Sequence, residues 1–340
     1  MLGLPEASVS CILLALLTTP AASRPAARRS VDLNVYNSYE DINWLLLEWN
    51  RAHPDIVREV IRIGTSRHDR AIHTITIGKD TGTTKPAIWI DGGIHAREWI
   101  SISSALGIAS KLIDGWERGE EEAHRLLERV DFYVTPLLNP DGYEFSRRTD
   151  TPLNCTLFGG VCGHIGRPKA FSEPESRAVR DFVLRHRRQL KAFISLHSYS
   201  QVWIYPYSND FGHYPDDVDD LIRVANLATD AIRNVANRTY IVGNSVDMLN
   251  YTAAGTATDW AKRDAGIKFS YTVELPPVNN FSNFYLGFLT TEEDIPTTSA
   301  EMFAAIKVVA DEVLKLDATT PTTAPPPAAE TLGRVVGRRQ

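Results

Sequence analysis

Ala87-Ile88-Trp89-Ile90-Asp91-Gly92-Gly93-Ile94-His95-Ala96-Arg97-Glu98-Trp99 decides how this 340-residue chain is read. The apolar run Ala87 to Ile90 has the character of a buried strand. Asp91-Gly92-Gly93 breaks it, and a helical pattern follows from about Trp99 to Ile113. His95 and Glu98 therefore fall on the loop between the C-terminal edge of a strand and the start of a helix, where open α/β sheets place their ligands. An imidazole and a carboxylate three residues apart can converge on one cation, and Zn²⁺ accepts both donor types. A lone His-x-x-Glu arises often by chance, so its meaning depends on the rest of the chain.

Outward from that stretch, strands and helices alternate. A helix is expected from Tyr39 to about Arg51, with Ser38 as N-cap. Val57 to Ile63 and Ala71 to Ile77 alternate like paired strands, with His73 a strand histidine and not a ligand. Val130 to Leu138 is a further apolar strand, and Asn139-Pro140-Asp141-Gly142-Tyr143 after it reads as a turn. Ser172-Glu173-Pro174-Glu175 has the form of a capping box opening a helix to about Arg188. Strands follow at Phe193 to Ser198 and Lys268 to Leu275. Helices are expected at Asp216 to Val235, Thr258 to Asp264 and Thr297 to Leu316. This order implies a single α/β domain, a mixed central sheet with helices on both faces. Its strand ends carry His95 with Glu98, His197, and Glu274. Two histidines and a carboxylate leave one position open on a tetrahedral zinc, as catalytic sites do. Glu274, flanked by Val273 and Leu275, suits a general base with a raised pKa.

The composition, 43% hydrophobic and 23% charged with a net charge of −6, suits a globular chain and gives no electrostatic case for nucleic acid. The basic cluster Arg185 to Arg188 reads as a solvated helix end. Residues 1–23 hold the apolar run Cys11 to Leu17 and small residues at Ala21 to Ser23, the pattern of a secretory signal, although Glu6 stands where such signals carry Lys or Arg. Cys155 and Cys162 then remain as one disulfide candidate in a secreted, extracellular protein. Sequons at Asn154, Asn237, Asn250 and Asn280 are compatible with secretion. Residues 24–34 form a short linker or prodomain remnant around Arg28-Arg29, 35–316 the main domain, and 317–340 a Thr/Pro-rich tail that cannot build a core. No hydrophobic run reaches the length of a membrane span.

Between about Val35 and Leu316 the chain resembles the zinc metallocarboxypeptidases of the pancreatic A/B type. The resemblance rests on Ile94 to Trp99, Asn139 to Tyr143, Lys169 to Glu175, Ser195 to Gln201, Tyr251 with Asp259-Trp260, and Gly266 to Leu275. It implies that His95, Glu98 and His197 hold one Zn²⁺ and that Glu274 is the general base on the water at that zinc. It also implies that Tyr251 closes over the substrate's C-terminus, with Arg97 and Tyr199 as substrate contacts. The implied partners are peptide or protein C-termini and proteinaceous carboxypeptidase inhibitors, met by a monomer.

The chain departs from that family in four places. The family's Trp-Arg segment, with its oxyanion arginine, and its Asn-Arg-Asn-Trp segment, with the carboxylate-docking pair, belong between Asn139-to-Tyr143 and the helix at Glu175. Neither occurs in the interval Glu144 to Ala170. Arg147, Arg148 and Arg167 are poor substitutes, because preorganised geometry is hard to replace. No inhibitory prodomain is expected between the signal and Tyr36. Asn250 abuts Tyr251, so its sequon is expected to be unused. In the selectivity pocket, Thr258 stands where the A-type has a bulky apolar residue and the B-type an acid, and Thr256 replaces a glycine. The expected protein is a zinc carboxypeptidase fold with incomplete exopeptidase machinery. Two other readings stand beside it: a non-catalytic secreted binder of peptides or inhibitors, and an incompletely spliced form of an active enzyme.

Overall fold

The computed structural model describes residues 29–148, 170–250, 252–277 and 286–319. The signal segment, the tail from residue 320 onward, Cys155, Cys162, Arg167, Tyr251, Asn154 and Asn280 lie outside the described residues. In chain order the larger elements are α1 (Tyr39–Ala52), β1 (Val57–Thr65), β2 (Ala71–Ile77), β3 (Ala87–Asp91), α2 (Trp99–Glu117), α3 (Glu121–Arg129), β4 (Asp131–Thr135) and α4 (Pro140–Arg148). After these come α5 (Pro174–His186), β5 (Leu190–Ser198), β6 (Val202–Ile204), α6 (Val218–Ala236), β7 (Ile241–Gly243), α7 (Ser245–Leu249), α8 (Ala257–Arg263), β8 (Phe269–Leu275) and α9 (Ile295–Thr319).

The strands form one eight-stranded sheet in the order β1-β2-β4-β3-β5-β8-β6-β7. Its centre, β4-β3-β5-β8, is parallel, and antiparallel pairings join β1-β2, β2-β4 and β8-β6. The expected mixed α/β sheet is therefore present. Both faces of the central strands are covered, which is why β3 and β4 are buried at every position. Side chains alternate across the sheet, and register sorts them. Trp89 pairs with Phe193, and Asp91 with Ser195. Ser195 pairs in turn with Thr272, and His197 with Glu274. These residues share one face. Along it, Trp89, Tyr133 and Phe193 pack with Ala178, Val179, Phe182 and Val183 of α5 and Ala261 of α8. On the other face α2, α6 and α9 pack together, and Tyr271 donates from β8 to the Leu221 carbonyl of α6 at 2.9 Å.

Three local expectations are corrected. Asn139 to Tyr143 does not form a simple turn: it opens α4. Pro140 costs nothing in a first turn, where its missing N–H would have had no intrahelical partner. Asn139 Oδ1 accepts the Gly142 N–H at 2.9 Å, as an N-cap does. The capping box at Ser172 does not form either. Glu173 occupies the N-cap position of α5 without a side-chain cap bond, and the Ser172 hydroxyl donates to the Glu173 carboxylate instead. The strand expected over Val130 to Leu138 shortens to Asp131–Thr135, because Pro136 has no N–H for the ladder.

Candidate metal centre

The loop from Gly92 to Glu98 is fixed from both sides. A Cβ on Gly92 would lie 2.6 Å from the Ser101 carbonyl oxygen, and Gly93 sits at φ +67, so only glycines let the chain turn this tightly against α2. Gly92 N–H donates to the Thr135 carbonyl at 3.1 Å, while the Gly92 and Gly93 carbonyls accept from the Leu138 and Asn139 N–H groups, each at 3.0 Å. Ser101 Oγ donates to the Glu98 carbonyl at 2.7 Å and accepts the Gly93 N–H at 3.0 Å. Glu98 occupies the N-cap position of α2 yet makes no side-chain cap bond. Its carboxylate faces the histidines instead.

His95, Glu98 and His197 meet, with donor atoms all within 4.8 Å of one another. His95 Nδ1 lies 2.8 Å from Glu98 Oε1, and His197 Nδ1 lies 3.2 Å from Glu98 Oε2. The two Nδ1 atoms are 3.1 Å apart. Tetrahedral zinc with bonds of about 2.0–2.1 Å spaces neighbouring donors by about 3.3 Å, so this set is close to a zinc coordination shell. Two ring nitrogens this close cannot both present a proton to one another, and a shared cation removes the conflict. The donor set fits zinc.

Electrostatics separate the two glutamates. Burial pushes the Glu98 carboxyl up, but His95 and His197 outweigh it and hold Glu98 below its ordinary value. Glu274, paired in register with His197, is raised by burial and then by the charge of Glu98, against the pull of His197 and Arg97. A buried carboxyl with a raised pKa, next to an ionised one, has the electrostatics of a proton acceptor that works near neutrality.

Of the other residues named from the sequence, the Arg97 guanidinium lies 3.9 Å from the centre of the Phe288 ring, and its charge reaches Glu274 and Tyr199. Tyr199 meets the same phenyl ring edge-on at 4.9 Å. Thr258 is buried in the first turn of α8, its hydroxyl 3.1 Å from that of Thr272. Arg147 points elsewhere: Nη1 donates to the Tyr36 carbonyl at 2.7 Å, and the guanidinium lies over Trp99 and Tyr143. Sequence reasoning missed Asp91 and Ser195, buried polar residues on the same face as His197. Their signal was available, since a charged and a hydroxyl residue interrupt otherwise apolar strands at positions in step with a histidine.

Two imidazoles and a carboxylate at the ends of parallel strands, with a second buried carboxylate one strand away, make the arrangement of a metallohydrolase. The chain matches the zinc carboxypeptidase family over residues 42–156 and 163–305, and it belongs to that family. It is 34% identical to carboxypeptidase B of Astacus astacus over 313 aligned positions, covering 83% of this chain and 98% of that protein. Human carboxypeptidase B is 33% identical, with 82% and 71% covered. Among solved structures, bovine thrombin-activatable fibrinolysis inhibitor in complex with tick carboxypeptidase inhibitor aligns with a TM-score of 0.70 at 30% identity, over 84% of this chain and 99% of that one. Carboxypeptidase A of Helicoverpa armigera aligns with a TM-score of 0.72 at 26% identity, over 88% and 78%. The family match breaks between residues 156 and 163. In the Astacus alignment, 83% of 340 residues is about 282, so about 30 of the 313 positions have no residue in this chain.

Proposed function

We propose that this chain is a secreted zinc carboxypeptidase whose hydrolysis of C-terminal residues is impaired. The observation that carries the reading is the meeting of His95, Glu98 and His197, with Glu274 alongside. Zinc, when bound, would supply Lewis-acid polarisation of a carbonyl and a water of lowered pKa. His95, Glu98 and His197 would hold it. Glu274 would take the water's proton and return it to the leaving amine. Arg97, Tyr199, Thr258 and Tyr251 would line the path of the substrate, a peptide or protein C-terminus. The bovine neighbour in complex with a tick inhibitor makes proteinaceous inhibitors reasonable partners for the same cleft. Secretion rests on the apolar leader at residues 1–23.

Impairment rests on what lies between α4 and α5. The interval Glu144 to Ala170 lacks the Trp-Arg and Asn-Arg-Asn-Trp segments, and the break in the family match falls inside it. Arg147 is held by Tyr36 and the rings beside it. Loss of an oxyanion donor alone costs about 10²–10³ in rate. The purified chain should bind about one zinc and turn over C-terminal-blocked dipeptides slowly. Glu274→Gln should keep the zinc and lower the residual rate by at least about 100-fold. A folded chain with only trace metal refutes the zinc assignment. Robust, chelator-sensitive release of C-terminal residues refutes the impairment. Peptide binding with no turnover to lose in Glu274→Gln favours the non-catalytic binder.

A further inference from the structure

A chain of hydrogen bonds runs beneath the metal centre. Trp89 Nε1–H donates to Asp91 Oδ2 at 2.6 Å. Ser195 Oγ donates to Asp91 Oδ1 at 2.8 Å. Ser195 Oγ lies 3.0 Å from His197 Nε2. All four side chains are buried, and the three strand neighbours are held in register by β3 and β5. The donor inventory settles the direction of each bond. Indole can only donate, and a carboxylate can only accept. Ser195 has one hydroxyl proton, which goes to Asp91, so its oxygen accepts from His197 Nε2–H. His197 thus keeps a proton on Nε2, on the side of the sheet, and leaves Nδ1 as the nitrogen that faces His95 and Glu98 and gives up its proton to a metal.

We infer that Asp91 and Ser195 are positioning residues that fix the tautomer and ring orientation of His197 for metal binding. Neither side chain reaches the donor cluster itself, and each acts through the imidazole. The inference rests on the proposed zinc site. A partner on the far nitrogen does two things for a ligating histidine: it stops the ring from flipping, and it raises the basicity of the ligating nitrogen. The burial of Asp91 has no other evident use. Its two oxygens are taken up by Trp89 and Ser195, and a carboxylate placed here for stability alone would be a costly choice against an apolar residue.

The test is zinc affinity measured by chelator competition at fixed pH, with ¹⁵N chemical shifts of the His197 ring in the metal-free and zinc-loaded full chain, the metal-free spectra taken above about pH 9, where the ring is neutral. Ser195→Ala should weaken zinc binding about 10- to 100-fold and move the metal-free ring toward a mixture of tautomers. Ser195→Thr, which keeps the hydroxyl, should restore most of the affinity. Ser270→Ala is the control. It deletes an equally buried hydroxyl on the same face, one strand over, whose partner is the Thr258 carbonyl at 2.8 Å. It should lower stability without changing zinc affinity. Asp91→Asn should resemble Ser195→Ala; should it fail to fold, the Ser195 pair still decides. Parent and Ser195→Ala chains that bind zinc within about twofold of each other, both with pure Nε2–H rings, overturn the inference and leave the zinc site standing. A folded parent that binds no zinc takes down both.

Discussion

At the scale of single residues, the metal-free site should reveal itself through pH. Burial favours the neutral His197 ring, yet Glu98 outweighs it and, with Glu274 and Asp91, lifts its pKa from 6.5 to about 9. A group held above its unfolded value stabilises the fold in full below about 6.5 and ceases to do so as the pH climbs through about 9. Asp91 leans the same way at lower pH. Burial raises it from 3.8 to about 6, so its ionisation disfavours the fold as the pH rises through that window. The chelator-treated protein should therefore lose thermal stability between about pH 6.5 and 9, and His197→Gln should flatten that limb. A parent melting temperature constant across the window would mean that the Glu98–His197 contact contributes nothing. Because zinc must displace the His197 proton, its affinity should weaken as the solution is acidified. The proposed ligands were legible in the sequence because His197 stands near the end of an apolar strand and His95 and Glu98 on the loop that follows one. The positions of Asp91 and Ser195 were legible too, but their partners were not, since only the parallel register of β3 against β5 brings residues 104 apart into one bond.

At the scale of elements, the close packing of α2 against α9 is set by a glycine. A Cβ on Gly107 would collide with the side chain of Ser299, so the two helices approach as nearly as backbones allow. Gly107→Val adds three carbons at that contact. Relief of the glycine penalty in the helix is worth less than about 1 kcal/mol for a β-branched replacement, while overpacking costs typically about 1–3 kcal/mol. A net loss of about 1–2 kcal/mol is expected from a denaturant midpoint, with zinc stoichiometry unchanged because α2 still presents Glu98. An unchanged midpoint would show that the interface is loose enough to absorb the side chain. The sequence pattern located α2 and α9 well, since both carry long apolar faces. It misread α4 because Pro and Gly within four residues look like a turn. What the pattern lacks is the partner: a Cβ on Gly142 would lie 2.6 Å from the Ala96 Cβ, so the glycine is there for packing against the metal-site loop and not for a turn. Two peptide bonds, Ser198–Tyr199 and Pro206–Tyr207, are cis, and no residue type announces them.

At the scale of the whole molecule, the proposed function makes the zinc ligands and the recognition apparatus separable, and this chain puts that to the test. His95, Glu98, His197 and Glu274 depend on β3, β5 and β8, whose register is set by the sheet and by the core beneath it. On the proposed reading the docking cations of the family belong to the interval between α4 and α5, and the family match breaks within that interval. Deleting a connection costs the sheet little, since the entropy of closing a loop changes only slowly with its length. Deleting the cations removes the means of telling a free carboxylate from a blocked one. Hydrogen bonds to charged groups contribute about 1.5–3 kcal/mol, which is about 10- to 150-fold in affinity. For a matched pair of peptides, one ending in a free carboxylate and one in an amide, a chain with an intact dock should prefer the acid by that ratio. Here the ratio should fall below about threefold, close to indifference on that scale. Equilibrium titration of the zinc-loaded Glu274→Gln chain measures it without interference from turnover. A preference of about tenfold or more would require another cation to read the carboxylate. Arg97, lying over Phe288 and within electrostatic reach of Glu274 and Tyr199, is the first to mutate in that event.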